Sequence, residues 1–437
     1  MKTKLLQLWI SLRSSFWFIP ALLIFAAVVL AFVMVGLDAG AGAEFTRHYP
    51  RVFGASPEGA RSILSGVASS MISIAGVTFS ITIVALSLTS AQYTSRVLRN
   101  FMRDRANQTV LGVFLSIFVY CLIVLRTVRG GSDSFVPALS LMTGIVLGII
   151  GIAFLIFFIH HVANSIQAAT VISNIGRETI AVIAELYPEP CTAETETPEA
   201  HDQWMRENSW TAIPSACAGY VQTVDAEGLM AWAEQNQTIV LVRRGIGEFV
   251  IAGQPIAAIA RTGNPPAATI KALNACFSVS SYRTSEQDVG FGIRKLVDIS
   301  LKALSPGIND TTTAVTCLHY LGAVLNALSR QTIPAELCRR DGQVRLIART
   351  QSYAFLVAEA LDQIRQVAGS NVVIHCSLLE AIGAAHHPAL GQARRKILLQ
   401  HAAHVLKTAD ANVPDDADRA IIRSRFDQVV KTLGEAI

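Results

Sequence analysis

The sequence predicts a mainly α-helical integral membrane protein, with four transmembrane helices, a helical neck, a small β-barrel-like module and a C-terminal helical domain. Three observations predict it. Four apolar segments are packed into the first 161 residues of a 437-residue chain. Half of the residues (51%) are hydrophobic and only 16% are charged, a bias concentrated in that N-terminal third. The second apolar segment carries ten hydroxyl side chains between Ser65 and Ser90, more than a helix facing lipid alone would use.

The spans are expected at about 16–37, 63–88, 108–125 and 135–160, each long enough for a hydrocarbon core of about 30 Å. Lys2, Lys4 and Arg13 precede the first, as they would a signal peptide. Its apolar length and the lack of a small-residue cleavage site favour a retained anchor. Basic residues set the orientation. The N-terminal cations, with Arg96, Arg99, Arg103 and Arg105 of the second loop, place both segments and everything after His161 on the cytoplasmic side of a bacterial inner membrane. The loop after the first span balances Arg47, Arg51 and Arg61 against Asp38, Glu44 and Glu58. Arg126 and Arg129 lie close enough to a span end to snorkel.

Seven cysteines without C-x-x-C spacing are expected as free thiols, six of them in a tail facing a reducing compartment. The net charge of +4 gives no argument for nucleic acid as a partner.

A helical neck is expected over 162–187, stopped by Tyr187-Pro188-Glu189-Pro190, and an acidic, Thr- and Pro-rich linker over 188–210. The pattern then turns β-like over 211–262, with runs at Gly219–Val224, Thr238–Val242, Glu248–Ile251 and Pro255–Ile259. A short helix at Ala226–Gln235, capped by Asp225, interrupts them. The stretch from Gly247 to Ile256 sets glycines six apart around an expected β pair and resembles the barrel-sandwich modules of lipoyl and biotinyl carriers and of membrane-fusion proteins. Those carriers attach their cofactor to a hairpin lysine. This segment has no lysine, so no cofactor is expected. From 263 to 437 the pattern is helical again, with helices expected at Ala267–Cys276, Val289–Ala303, Thr311–Ser329, Gln343–Val367, Val372–Ala384, Pro388–Ala409 and Asp416–Glu435.

Three groups of residues could carry function. Along the second span Ser62, Ser65, Ser69, Ser73, Gly76, Ser80, Ser87 and Ser90 share an arc of about 100°. Thr78, Thr82 and Thr89 make a shorter stripe on the far side. The serine stripe suits the lining of a hydrated path, where hydroxyls replace part of an ion's water shell. It suits a tight helix–helix seam as well, the commoner use of such a stripe. At its cytoplasmic end Arg96, Arg99 and Arg103 could form an anion-attracting vestibule or serve as plain membrane anchors, and His160 and His161 end the fourth span at the same face. In the tail, Arg283, Thr284, Gln287, Asp288, Arg294, Asp298, Asn309 and Asp310 form the densest polar run. They could line a pocket with Arg283 and Arg294 as anion donors, or cap helices, with Arg294 and Asp298 as an i,i+4 pair. The sequence has no nucleophile–base pair, H-E-x-x-H, Walker loop or dinucleotide turn, and no metal site or enzymatic role is expected.

Two blocks, TFSITIVALSLTSAQYTSRVLRNFMRD at Thr78–Asp104 and RTSEQDVGFGIRKLVDISLKALSPGINDTTTA at Arg283–Ala314, resemble a bacterial family of predicted membrane proteins known only as a domain of unknown function. The chain departs from the family at Thr311, where proline is usual, and at Tyr93-Thr94-Ser95-Arg96, where Tyr-Ser-Pro-Arg is common. The resemblance implies four spans with a cytoplasmic tail and supplies no catalytic residue. The function expected is a homo-oligomeric channel or conduit in the lipid bilayer for small ions or solutes, lined by the second span. The alternative is a membrane-anchored scaffold or sensor.

Overall fold

The computed structural model describes residues 17–48, 56–92, 104–130, 135–187, 208–334, 336–388 and 390–434. The chain divides into two units, Met1–Thr170 and Val171–Ile437. The first holds α1 (Phe18–His48), α2 (Pro57–Gln92), α3 (Arg105–Thr127) and α4 (Ala138–Ser165). Among the described residues these four are the helices long and apolar enough to cross a membrane. At 36 residues, α2 runs about 54 Å, well past a hydrocarbon core of about 30 Å.

The third helix forms the centre of this unit. Val110, Phe114, Ile117, Tyr120, Cys121 and Val124 are buried along it, where it packs against α1, α2 and α4. Outward faces of the other helices carry Phe25, Phe32, Ile72, Val84, Ile149 and Ile156, large exposed apolar side chains that lipid would solvate. The fourth helix approaches the second through Gly144, Gly148 and Gly151. A Cβ at these positions would lie 3.1 Å from Leu64, 3.3 Å from Val67 and 2.7 Å from Met71. This is small-residue packing of the kind that holds membrane helices together.

Asp38 shows how one helix completes another. Pro137 precedes α4 and offers no side-chain cap. The Asp38 carboxylate, carried on α1, accepts from the Leu139 N–H at 2.8 Å, the Ser140 N–H at 2.9 Å and the Ser140 hydroxyl at 2.5 Å. It thereby satisfies helix-start donors that have no intrahelical partner and places negative charge at the positive end of the dipole. The sequence reading counted Asp38 among loop charges, yet the residue is buried.

Helical structure stops at Ser165, and the Ile166 N–H turns back to the Asn164 and Val162 carbonyls. The run expected to pass unbroken through His161 is therefore two helices, the second being α5 (Ala168–Leu186). Residues 188–207 of the expected linker lie outside the described residues. There follow β1 (Trp210–Pro214), β2 (Gly219–Val224), α6 (Ala226–Gln235), β3 (Val240–Val242), β4 (Phe249–Val250), β5 (Pro255–Ala260), α7 (Ala267–Asn274) and β6 (Phe277–Ser280). The chain continues through α8 (Val289–Ala303), α9 (Thr311–Arg330), β7 (Leu337–Arg340), β8 (Gln343–Ile347), α10 (Tyr353–Val367), α11 (Val372–Ala384), α12 (Gln392–Asn412) and α13 (Asp416–Gly434). Helices α8 to α13 pack on one another, and α5 seats against them: a Cβ on Gly176 would lie 2.5 Å from Tyr320, and Thr179 fills the notch at Gly292.

Among the described residues two sheets result, one ordered β1-β5-β3-β8-β7 and the other β4-β2-β6. Neither closes, which corrects the expected barrel-like module. The resemblance to carrier modules fails for the same reason. β4 pairs with β2 while β5 pairs with β1 and β3, so the stretch around Gly253 passes from one sheet to the other and is no β pair. Gly253, at φ +82°, makes that passage in a conformation glycine adopts without strain. The sheets also recruit strands from the region expected to be wholly helical. Residues 343–347 are a strand, and the helix expected from Gln343 starts at Tyr353 behind a Ser352 cap.

Asp38→Ala should lower the stability of the membrane unit by about 2–3 kcal/mol, because three bonds to a buried carboxylate vanish and the start of α4 loses its cap. Thermal unfolding in detergent reads this out, and an unchanged midpoint would contradict the capping role.

Candidate functional site

On α2 the packed side and the hydroxyl side are different sides. Ala60, Leu64, Ala68, Met71, Ala75, Thr78, Thr82 and Ala85 are buried. Ser65, Ser69, Ser73, Gly76, Ser80 and Ser87 are exposed on the protomer. The Ser90 side chain lies outside the described residues. No atom comes within 4 Å of a Cβ built on Gly76. Among the described residues, therefore, the stripe makes no seam with another helix of its own chain. Exposed Ile72 and Ile83 fall on the same arc and interrupt it.

Hydroxyl directions follow from helix geometry. Ser73 donates to the Ser69 carbonyl at 2.8 Å and Ser80 to the Gly76 carbonyl at 3.0 Å. Each such serine has committed its one proton to its own backbone and keeps oxygen lone pairs to present outward. On the far side Thr82 donates to the Thr78 carbonyl at 2.8 Å, and both threonines are buried.

Arg96, Arg99 and Arg103 lie outside the described residues. The two histidines differ in surroundings. His161 Nε2 sits 2.5 Å from the carboxylate of Asp104, which also caps α3 by accepting from the Ala106 N–H at 2.9 Å. The His161 ring stacks on Phe157. His160 is exposed and bonds to Asn164 one turn on, at 2.9 Å. One histidine thus ties the end of α4 to the start of α3, and the other faces outward.

The eight polar residues of the tail separate into groups with disjoint partners. Asp288 is almost fully buried and collects the first. Arg283 Nε and Nη2 reach its two oxygens at 2.8 and 2.9 Å, and the Phe291 N–H and Gln351 Nε2 donate to Oδ1 at 3.0 and 2.9 Å. Gln287 accepts from the Val224 N–H of β2 at 3.1 Å, and Thr284 holds a buried hydroxyl nearby in sequence. Gln351 also accepts from the Gly290 N–H and donates to the Ile246 carbonyl. Gly247 passes so close that a Cβ would lie 2.5 Å from the Asp288 carboxylate. In the second group Arg294 bonds Asp298 at 2.7 Å and reaches Gln363 and Glu359 of α10 at 2.9 and 3.4 Å. In the third, Asp310 caps α9 by accepting from the Thr313 N–H, beside exposed Asn309 at φ +49°. Both arginines expected as anion donors are taken by internal carboxylates in different groups, so no single anion pocket forms. The bonds of Asp288 to helix and sheet make it a structural node.

Sequence reading missed Lys295. It is 1% exposed, donates to Ser285 Oγ at 2.8 Å, lies 3.6 Å from the Glu178 carboxylate and 5.3 Å from the Phe291 ring centre. Burial lowers its pKa against the opposing pull of Glu178 and Asp288. The signal was its place on the apolar face of α8, between Ile293 and Leu296.

A family model described as predicted membrane protein (DUF2254) matches residues 13–384. The uncharacterized protein MT1328 of Mycobacterium tuberculosis is 31% identical over 397 residues, covering 88% of this chain and 75% of the relative. The uncharacterized protein Mb1321c of Mycobacterium bovis shows the same identity and coverage. No solved structure matches the chain.

The lowered Lys295 pKa fixes a pH dependence. The folded chain holds this proton less tightly than the unfolded one, so below the ordinary value of 10.5 the unfolded state binds more protons and stability rises with pH. Lys295→Met should flatten that alkaline rise, read as unfolding midpoint against pH on the alkaline side below 10.5. It should cost no more than about 1 kcal/mol, because Glu178 stays solvated and Asp288 keeps Arg283. A slope that survives the substitution would point to another group.

Proposed function

This chain belongs to the DUF2254 family of predicted membrane proteins, and from that premise we propose that it forms a homo-oligomeric channel or conduit in the bacterial inner membrane. Copies assemble in the lipid bilayer with the serine stripe of α2 turned toward a shared axis, and the N-terminus and tail are cytoplasmic. The observation that carries this reading is the position of the stripe, exposed on the protomer and opposite the face α2 uses for its own bundle. Exposed polar stripes are costly against lipid and gain most from a hydrated path or a neighbouring copy. Hydroxyls whose protons are held by the backbone offer acceptor oxygens, which suit cations or solute donor groups. No catalytic role, cofactor or nucleic acid is assigned. The membrane-anchored sensor is the second reading. It is favoured by the size of the second unit, which has its own sheets and helical core.

The triple variant Ser73→Leu, Ser80→Leu, Ser87→Leu should cut ion flux through reconstituted liposomes at least about tenfold by drying the path, with native mass spectrometry showing an oligomer for the parent protein. Undiminished flux, or a strictly monomeric parent, would remove the conduit and leave the sensor.

A further inference from the structure

The five-stranded sheet carries a cleft of about 320 Å³ lined by Trp210, Ala212, Arg243, Arg244, Pro255 and Ala258. Strand alternation accounts for its floor. Trp210 and Ala212 stand two apart on β1, and Ala212 lies opposite Ala258 of β5, so the three share one face of the sheet. Alternation alone would send the consecutive residues Arg243 and Arg244 to opposite faces. A bulge prevents it. The N–H groups of Arg243 and Arg244 both donate to the Ile256 carbonyl, at 2.9 and 3.1 Å, so two residues after β3 oppose one on β5. On the other side of β5 the register slips at the same place, where Ile213 faces Ala257 and Pro214 faces Pro255. The paired irregularities open the sheet at this corner and bring both guanidiniums to one cleft.

Their charges are largely unspent. Arg244 has the Glu248 carboxylate at 3.8 Å, while the other oxygen of Glu248 is held by Arg349 at 2.6 Å. Arg243 is exposed, and among the described residues no carboxylate pairs with it. Two adjacent planar forks favour a dianionic phosphate, which accepts several charge-assisted bonds at once. The indole of Trp210 beside a floor of alanines and a proline favours a flat ring over a branched or extended group. The volume sits at the small end of metabolite sites, about 300–1,000 Å³.

We propose that this cleft binds a nucleoside monophosphate, with the phosphate on Arg243 and Arg244 and the base against Trp210. The site stands on residues the conduit does not use, so its failure and the failure of conduction are separate results.

Isothermal titration of the full-length protein in detergent uses each of the four ribonucleoside monophosphates, inorganic phosphate and glycerol 3-phosphate as probes. At least one nucleotide should saturate a single site per chain. Arg243→Ala with Arg244→Ala should weaken it about 10- to 100-fold, the loss of charge-assisted bonds. Trp210→Ala should bring nucleotide affinity down to that of phosphate while phosphate binding itself stays. Arg243→Lys with Arg244→Lys keeps the charge and should bind between parent and alanine variant, which separates lost recognition from lost fold. No saturable binding by any nucleotide, or binding that the alanine pair retains, would overturn the proposal. So would glycerol 3-phosphate binding as tightly as the nucleotides, since the cleft would then recognise a headgroup and not a base.

Discussion

The close approach of α4 to α2 settles what the rest of the membrane unit can do. Three glycines leave just enough room for Leu64, Val67 and Met71, and this contact fixes the rotation of α2 about its axis. Once that rotation is set, Thr78 and Thr82 are enclosed and the serines have only the outside of the bundle to face. A helix with one small polar face and one apolar face could have been turned either way. The glycines decide the direction, and the conduit reading follows from that choice.

The second unit depends on a buried charge in a comparable way. Asp288 draws together a helix start, the arginine five residues before it and a glutamine beyond the last strand. A carboxylate taken out of water requires this number of donors. Two donors are local and the third, on Gln351, comes from 63 residues on, so satisfying one group ties the start of α8 to the segment that follows β8. Gly247 lets the β-rich segment approach because any side chain there would meet the carboxylate.

Much of this was legible beforehand where the signal is local. The four spans, the helix Val289–Ala303 with its Asp288 cap and the helix Val372–Ala384 announce themselves through apolar period and capping chemistry. The hydroxyl stripe was visible, but which way it faces required the glycine contacts of another helix. Strand partners were not legible, because pairing is chosen by tertiary context. One local signal does mark a strand pair. Asp341-Gly342, both at positive φ, form the tight turn between β7 and β8, and such a dipeptide between β-prone runs is a strong hairpin mark. That turn makes Gln343–Ile347 the returning strand of a hairpin and not the start of a helix. Arg243 and Arg244 looked like ordinary surface charge, and only the bulge makes them neighbours in a cleft. Asp38 and Lys295 were misjudged for a shared reason, since sequence shows a charge without showing what encloses it.

The parallel pairing of Val240 with Leu346 has a consequence for biosynthesis. A ribosome delivers β3 roughly a hundred residues before its β8 partner, and such distant pairings are slow to form. Until that second strand emerges, one edge of β3 stays open, with unsatisfied backbone groups able to template wrong partners. Nascent chains already anchored by their first spans would be held close to one another at the membrane during that interval. Premature termination between these strands would therefore yield tethered fragments inclined to clump, a burden on quality control that truncation within the last two helices would avoid.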